Sequence, residues 1–599
     1  MADMAALPFL QTLHRDHRNL LRGGWSIALF SVISLTAPPA FAQASIEAAH
    51  LSPTLYFRSD AEESSSREAL HTQVPAQVKA MESAAIRTLP AELDRTEALI
   101  ATLETHYAYL KVKTLENTED QAAKAARNQV GTDRSVLEAA MEERLRRLSV
   151  EKANSLGKYA FLAQNVRRDS AHALSPETES YRKSVISPAL ESFADSYDRM
   201  DAHISRPKAS TASDATTRRA AIAQWNAAYD TVAPEESVLL GAIVDVENRD
   251  AIANGYTNAA DRKYQSLGLS DALVVKTLAE VQAEAPAYRH YQEVLAKHAA
   301  WKLGVPQALS TEVNLASGKA SVIPFTEARR LILDALQPLG MDYTSRFAAL
   351  LDPANGRLDL AGGTHRADTG TSIDAYDAPT ALYLSGYDGS LRNVSTIAHE
   401  GGHAIHRELM NVGGTPVYER SGPHYVYEGF AIFNELLLLD HATTVAKTLA
   451  EREYALERLL AKLSLELYVS AEETAFERSL YTQSVGQPLL DRAKIDTLYR
   501  ASISPYEYWS ISDIGQSRGW MRKELVFEDP LYLVNYLYAS VIAVALYDKS
   551  HSDPQFAAKY EALLRRGFDA EPQTILASMG IRLDEPNLVK PAADLMIEE

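Results

Sequence analysis

The chain has 599 residues, 46% apolar and 23% charged, the proportions of a soluble globular protein with room for a sizeable core. A net charge of −19 repels phosphate backbones and argues against a nucleic-acid partner. The chain holds no cysteine, which excludes disulfides and thiolate ligands, so any zinc must be held by histidine and carboxylate oxygen.

Near the N-terminus, Arg15, Arg18 and Arg22 precede the short apolar run Trp25–Leu35, followed by Pro38, Pro39 and Ala40-Phe41-Ala42. A basic flank, an apolar core and a small-x-small exit describe a secretory signal over residues 1–42, cut after Ala42. The expected location is periplasmic or secreted, with no stable membrane span after signal removal, because no later run of 18 apolar residues occurs.

From about 78 to 205, apolar residues recur at three- and four-residue intervals, as in Val136–Leu148, and predict helices. The polar stretch Arg206–Thr216 reads as an exposed loop, either the boundary between an N-terminal helical region (43–210) and a catalytic region (211–599) or, equally, a hairpin loop inside one helical unit. Residues 218–350 are again helical in pattern. Between 352 and 392 Gly and Asp become frequent, and Tyr383–Tyr387 has strand character, so a hairpin or small sheet is expected there. Helical periodicity returns at 393 and runs nearly to the end. The predicted architecture is mainly α, with one small β element.

The chemistry is concentrated in Ser390–Met410. Asn393 or Ser390 suits a helix N-cap, and Val394, Ile397, Ala398, Ile405 and Leu409 fall on one side. His399 and His403 are four apart, so their imidazoles leave one helix face and can share an ion. Glu400 sits beside the open metal position, where it can take a proton from water. Gly401 and Gly402 each cost about 1 kcal/mol in a helix relative to Ala, which implies close approach by another backbone, with Tyr383–Tyr387 as the expected partner.

A catalytic zinc site needs a third protein ligand. Glu419, His424, Glu428 and Glu435 follow the motif. Glu428 is favoured, because it opens the apolar stretch Glu428–Leu439, where a buried carboxylate needs a partner. Glu435, two turns on, can orient a ligating histidine.

His399-Glu-Gly-Gly-His-Ala-Ile-His406, with Glu428 25 residues after His403, resembles the thimet oligopeptidase and oligoendopeptidase F family. Tyr387–Ala398, Phe433–Leu437 and Ala475–Leu490 resemble the oligoendopeptidase F branch. The resemblance implies a two-lobed helical fold around a deep channel, with one zinc ion per chain at its base. It implies His399, His403 and Glu428 as metal ligands and Glu400 as general base. Asp529–Ser540 resembles the family's tyrosine-rich helix, which makes Tyr536 and Tyr532 oxyanion donors. The implied activity is zinc-dependent endopeptidase cleavage of short unfolded oligopeptides, with a strand of the 380s pairing with the extended substrate.

Two positions depart from the family pattern: no histidine occurs near Val526, and Ala431 replaces a small hydroxyl residue. Two other functions compete with this one. A dipeptidyl carboxypeptidase of the angiotensin-converting type would need a cation for the substrate C-terminus, with Arg518, Arg522 and Lys523 available. A catalytically impaired peptide-binding protein would fit the missing histidine but has no need of Glu400.

Overall fold

A computed structural model describes residues 49–598, apart from 170–171, 173, 317–320, 377, 488–489 and 510–515; the signal-like segment 1–42 lies outside the described residues. The helical pattern between 78 and 205 resolves into α1 (Asp60–Ser83), α2 (Leu89–Glu116), α3 (Gln121–Arg146), α4 (Pro176–Asp201) and shorter pieces. Their starts follow local chemistry: the side chains of Ser59, Asp120 and Ser175 accept the N–H groups of Glu62, Ala123 and Thr178, satisfying first-turn donors. The loop expected at 206–216 is a short helical turn, Lys208–Thr211, leading into α5 (Ala215–Ala253), whose cap is Asp214.

Further along come α6 (Met341–Leu350), three short strands, α7 (Leu391–Gly413), α8 (His424–Val445), α9 (Leu449–Leu463), α10 (Ser470–Gln483) and α11 (Val534–Ser552). The fold is mainly α, as the periodicity predicts. Most apolar residues from Tyr197 to Met596 join one core, through which α8 and α11 run almost fully buried. Residues 464–469, between α9 and α10, form one π-helical turn.

The sheet has β1 (Leu358–Asp359), β2 (Gly370–Ala375) and β3 (Ala378–Leu384) in the order β1-β3-β2. β3 pairs parallel with β1 (Leu358 opposite Leu382) and antiparallel with β2 (Thr371 opposite Tyr383). This corrects the expected strand Tyr383–Tyr387. The strand ends at Leu384, and the N–H groups of Ser385, Gly386 and Tyr387 bond instead to Thr369, Ala361 and Leu360 in flanking loops. β3, the strand expected to pair with the substrate, is the middle strand, paired with β2 along its length and with β1 at Leu382 and Tyr383, and β2 is an edge beside the motif helix.

One face of the sheet meets α2. Ala108, Val112 and Leu115 pack with Ile373, Ala375, Ala381 and Tyr383, and the Tyr383 hydroxyl donates to the carbonyls of Leu115 and Ala367. The N-terminal helices therefore build directly on the strands beside the motif.

Candidate active site

Helix α7 begins where Ser390 accepts the N–H of Asn393 at 3.2 Å and ends at Gly414 in the left-handed conformation. Val394, Ile397, Ala398, Ile405 and Leu409 are all buried, as their spacing predicts. The opposite face carries His399, Glu400 and His403.

The Nε2 atoms of His399 and His403 lie 3.2 Å apart. Oε2 of Glu428, one turn into α8, lies 3.2 Å from His399 Nε2, and its Oε1 lies 3.4 Å from His403 Nε2. With metal–ligand bonds near 2.1 Å, two ligands of a tetrahedral zinc stand about 3.3 Å apart. The three contacts have about that length, the two to Glu428 through different oxygens of its carboxylate. Oε2 of Glu428 is also buried without a hydrogen-bond partner, a costly state for a carboxylate that a cation would relieve. The donor set, two imidazoles and one carboxylate, suits zinc.

The surroundings hold these donors in place. His399 donates from Nδ1 to Glu435 Oε2 at 2.9 Å, which turns the Nε2 lone pair toward the triangle. Glu435 also accepts from Ser395 Oγ at 2.8 Å and pairs with Lys462 at 2.6 Å, and Lys462 pairs with Glu466 at 2.9 Å. Burial would raise the Glu435 carboxyl, but Lys462 and His399 hold it down at about 2. Glu466 stands in the π-helical turn, a local distortion that recurs at functional positions. The His403 ring stacks on Tyr427, with centroids 4.0 Å apart.

Glu400 faces the sheet, where its Oε2 accepts the Ser372 N–H of β2 at 2.9 Å. Tyr532 and Tyr536 lie with ring centroids 5.6 Å apart, and Tyr532 is beside the His424 ring. Burial, then the neighbouring Tyr532 and Glu428, drive the Tyr536 hydroxyl well above its ordinary pKa, so it is a neutral donor near the carboxylate of Glu428.

Among the other residues singled out in the sequence, His406 is buried against Phe430 and Tyr427, away from the donor triangle. Glu419 lies in a separate turn before α8. His424 places Nε2 3.4 Å from Glu428 Oε1 and its ring beside Tyr532, but it stands outside the compact donor group. Val526 is buried in the short helix Glu524–Glu528.

The cations available to a carboxypeptidase are engaged elsewhere. Arg518 pairs with Asp230, Lys523 with Glu473, and Arg522 lies over Trp225 and Tyr229.

The glycine expectation needs correction. A Cβ on Gly401 would fall 2.2 Å from the Phe347 ring of α6, and one on Gly402 would fall 2.6 Å from Asn434 Nδ2 of α8. The close neighbours are a side chain at Gly401 and, at Gly402, the Asn434 side chain with the Ala431 backbone of α8 at 3.5 Å, not the backbone of the 380s. Asn434 itself donates to Tyr343 Oη at 2.8 Å and to the Ala398 carbonyl at 3.2 Å, tying α6, α7 and α8 together at the motif.

Sequence reasoning did not identify Ser395, Lys462 and Glu466. Lys462 and Glu466, four apart on a largely apolar helix, offered a weak signal of a buried charge pair.

Known proteins are similar to this chain in sequence or in fold. Residues 355–593 match the profile described as peptidase family M3. Oligopeptidase PepF of Bacillus subtilis is 21% identical over 287 residues, which are 46% of this chain and 41% of the relative. Oligoendopeptidase F of Lactococcus lactis is 22% identical over 45% of this chain and 44% of the relative. The alignments thus span less than half the length of these curated relatives. In fold, the chain is similar to a candidate peptidase from Chlamydophila abortus (TM-score 0.79, 17% identity, 92% of this chain and 97% of the other). It is also similar to oligoendopeptidase-F from Enterococcus faecium (TM-score 0.60, 17% identity, 90% and 98%). The family match takes in β1–β3, the donor helices α7 and α8 and the tyrosine helix α11; over that segment the chain is similar to peptidase family M3 and to relatives of the oligoendopeptidase F type.

Proposed function

We propose that this chain is a zinc-dependent oligopeptidase that cuts short unfolded peptides internally, with one zinc ion held by His399, His403 and Glu428. The observation that carries this reading is the donor cluster: His399, His403 and Glu428 bring ligand atoms together at 3.2–3.4 Å, with Glu400 next to His399 in sequence and Tyr536 close enough to feel the Glu428 charge. Zinc bound there would supply Lewis-acid polarisation and acidify water at neutral pH.

The chain's own groups account for the proton traffic. Glu400, oriented by the Ser372 N–H, accepts a proton from the attacking water and returns it to the leaving amine. Tyr536, and Tyr532 beside it, donate hydrogen bonds to the oxygen that becomes negative as the carbonyl carbon turns tetrahedral. β2 is the sheet edge on this side, so main-chain pairing with an extended peptide falls to its free positions. The engagement of Arg518, Arg522 and Lys523 leaves the carboxypeptidase reading without the cations assigned to it.

Export to the periplasm or outside the cell is proposed on the signal-like segment 1–42. Among the described residues no helix is long and apolar enough to cross a membrane. The division into an N-terminal helical region (43–210) and a catalytic region (211–599) is likewise a proposal from sequence.

The test is digestion of a mixed peptide library by wild type and Glu400→Gln, with cut sites read by mass spectrometry and zinc measured by elemental analysis. Internal cuts by wild type, at least a ~10³-fold slower Glu400→Gln and one zinc per chain are expected. Equal turnover by the two proteins, or a zinc-free active enzyme, overturns the reading.

A further inference from the structure

Lys111 stands on α2, in the N-terminal helices, yet its ammonium reaches the edge of the sheet. Nζ donates to Thr371 Oγ1 at 3.0 Å and to the Ser372 carbonyl at 2.9 Å. Ser372 in turn gives its N–H to Glu400 Oε2 at 2.9 Å. Both main-chain polar groups of this one residue are therefore occupied, one by the lysine and one by the carboxylate.

Both acceptors of Lys111 are neutral. Burial draws its pKa down to about 8, against the pull of Asp374 and Glu400. A lysine placed among neutral acceptors at a helix–sheet contact costs free energy that a hydrocarbon side chain of the same length would avoid. The neighbouring contact already has an apolar seal in Ala108, Val112 and Leu115 against Ile373 and Tyr383. Packing does not call for an ammonium here; what it contributes is its hydrogen bonds to Ser372 and Thr371 and its attraction to Asp374 and to Glu400 itself.

We propose that Lys111 is a positioning residue for Glu400: by fixing Ser372 on the free edge of β2, it holds the N–H that orients the carboxylate toward the attacking water. The N-terminal helices thereby supply part of the catalytic geometry. This inference rests on the peptidase reading above. An edge strand is restrained by hydrogen bonds on one side only, so a residue there shifts more readily than one in β3. An error of about an ångström at a catalytic carboxylate lowers the rate of the chemical step on the order of 10²-fold without weakening ground-state binding.

The experiment compares full-length, zinc-loaded wild type, Lys111→Met and Lys111→Arg on an internally quenched oligopeptide, with zinc content and urea midpoint measured alongside. Lys111→Met is expected to lose about 10- to 100-fold in kcat with KM changed less than ~2-fold, zinc still at one per chain and the urea midpoint kept. Lys111→Arg, which keeps donors at the strand, should recover most of that loss. A Lys111→Met kcat within ~2-fold of wild type, a rise in KM with kcat intact, or a loss that merely tracks unfolding overturns the inference. If Lys111→Met does not fold, Lys111→Gln is judged by the same criteria. A wild type without peptidase activity removes the underlying reading and this inference with it, whereas an active wild type matched by Lys111→Met removes this inference alone.

Discussion

Glu435 accepts the Nδ1–H of His399 at 2.9 Å while its other oxygen accepts from Ser395, so a residue two turns beyond Glu428 on the same helix aims one of the proposed zinc-donor rings. A ligating imidazole needs its remote nitrogen protonated and its plane fixed, and a buried carboxylate does both. Glu435→Gln should keep the volume but lower zinc affinity about 10- to 100-fold. Competition with a chelator of known affinity measures it, and an unchanged affinity would count against this role.

Gly401 sets helix propensity against packing. On propensity alone, Gly401→Ala stabilises α7 by about 1 kcal/mol. The new Cβ would fall 2.2 Å from the Phe347 ring, which is itself buried, so either α6 or α7 must shift. Overpacking of that kind costs about 1–3 kcal/mol. Urea unfolding of the metal-free protein should show Gly401→Ala to be destabilised, and the sign of the change decides between the two effects.

Tyr536 is tested by removing one oxygen. Its ring is buried on α11, and Tyr536→Phe keeps that packing. The variant should lose on the order of 10²-fold in kcat, with zinc content and unfolding midpoint unchanged. Tyr532→Phe should lose less or equally, since Tyr532 stands beside Tyr536 in the same wall. A Tyr536→Phe enzyme as fast as wild type would remove the tyrosine from the mechanism.

Glu236, far from the motif in sequence, gives a pH prediction. It is fully buried on α5, neither carboxylate oxygen has a hydrogen-bond partner, and burial followed by the charge of Asp201 raises its pKa from 4.5 to about 8. The folded state thus binds this proton more tightly than the unfolded state. Its contribution is fully present below about pH 4.5 and is lost as pH rises through 8, a change on the order of 4–5 kcal/mol. Glu236→Gln removes the titration, so its Tm advantage over wild type should grow between pH 5 and 8. Parallel Tm-versus-pH curves would contradict this assignment.

Much of the site was legible because it is local. His399 and His403 share a face through the helical period alone, and the apolar run after Glu428 marks a carboxylate that needs a partner. Ser390 as cap and the buried stripe of α7 follow from the same periodicity. The strand in the 380s was harder to read: aromatic and apolar residues continue past Leu384, but pairing ends there because the following N–H groups bond to loop carbonyls.

By itself, then, the sequence determined the helical class and brought out the proposed donor set and base, since each depends on residue type and short-range spacing. Tertiary structure alone decided which strand is the free edge, which side chains crowd Gly401 and Gly402, and how Lys111 reaches Ser372. These are contacts between segments far apart in the chain, 260 residues or more for Lys111 and the strand. No local period encodes such a meeting, because it is fixed by the packing of α2 on the sheet and of α6 and α8 on α7.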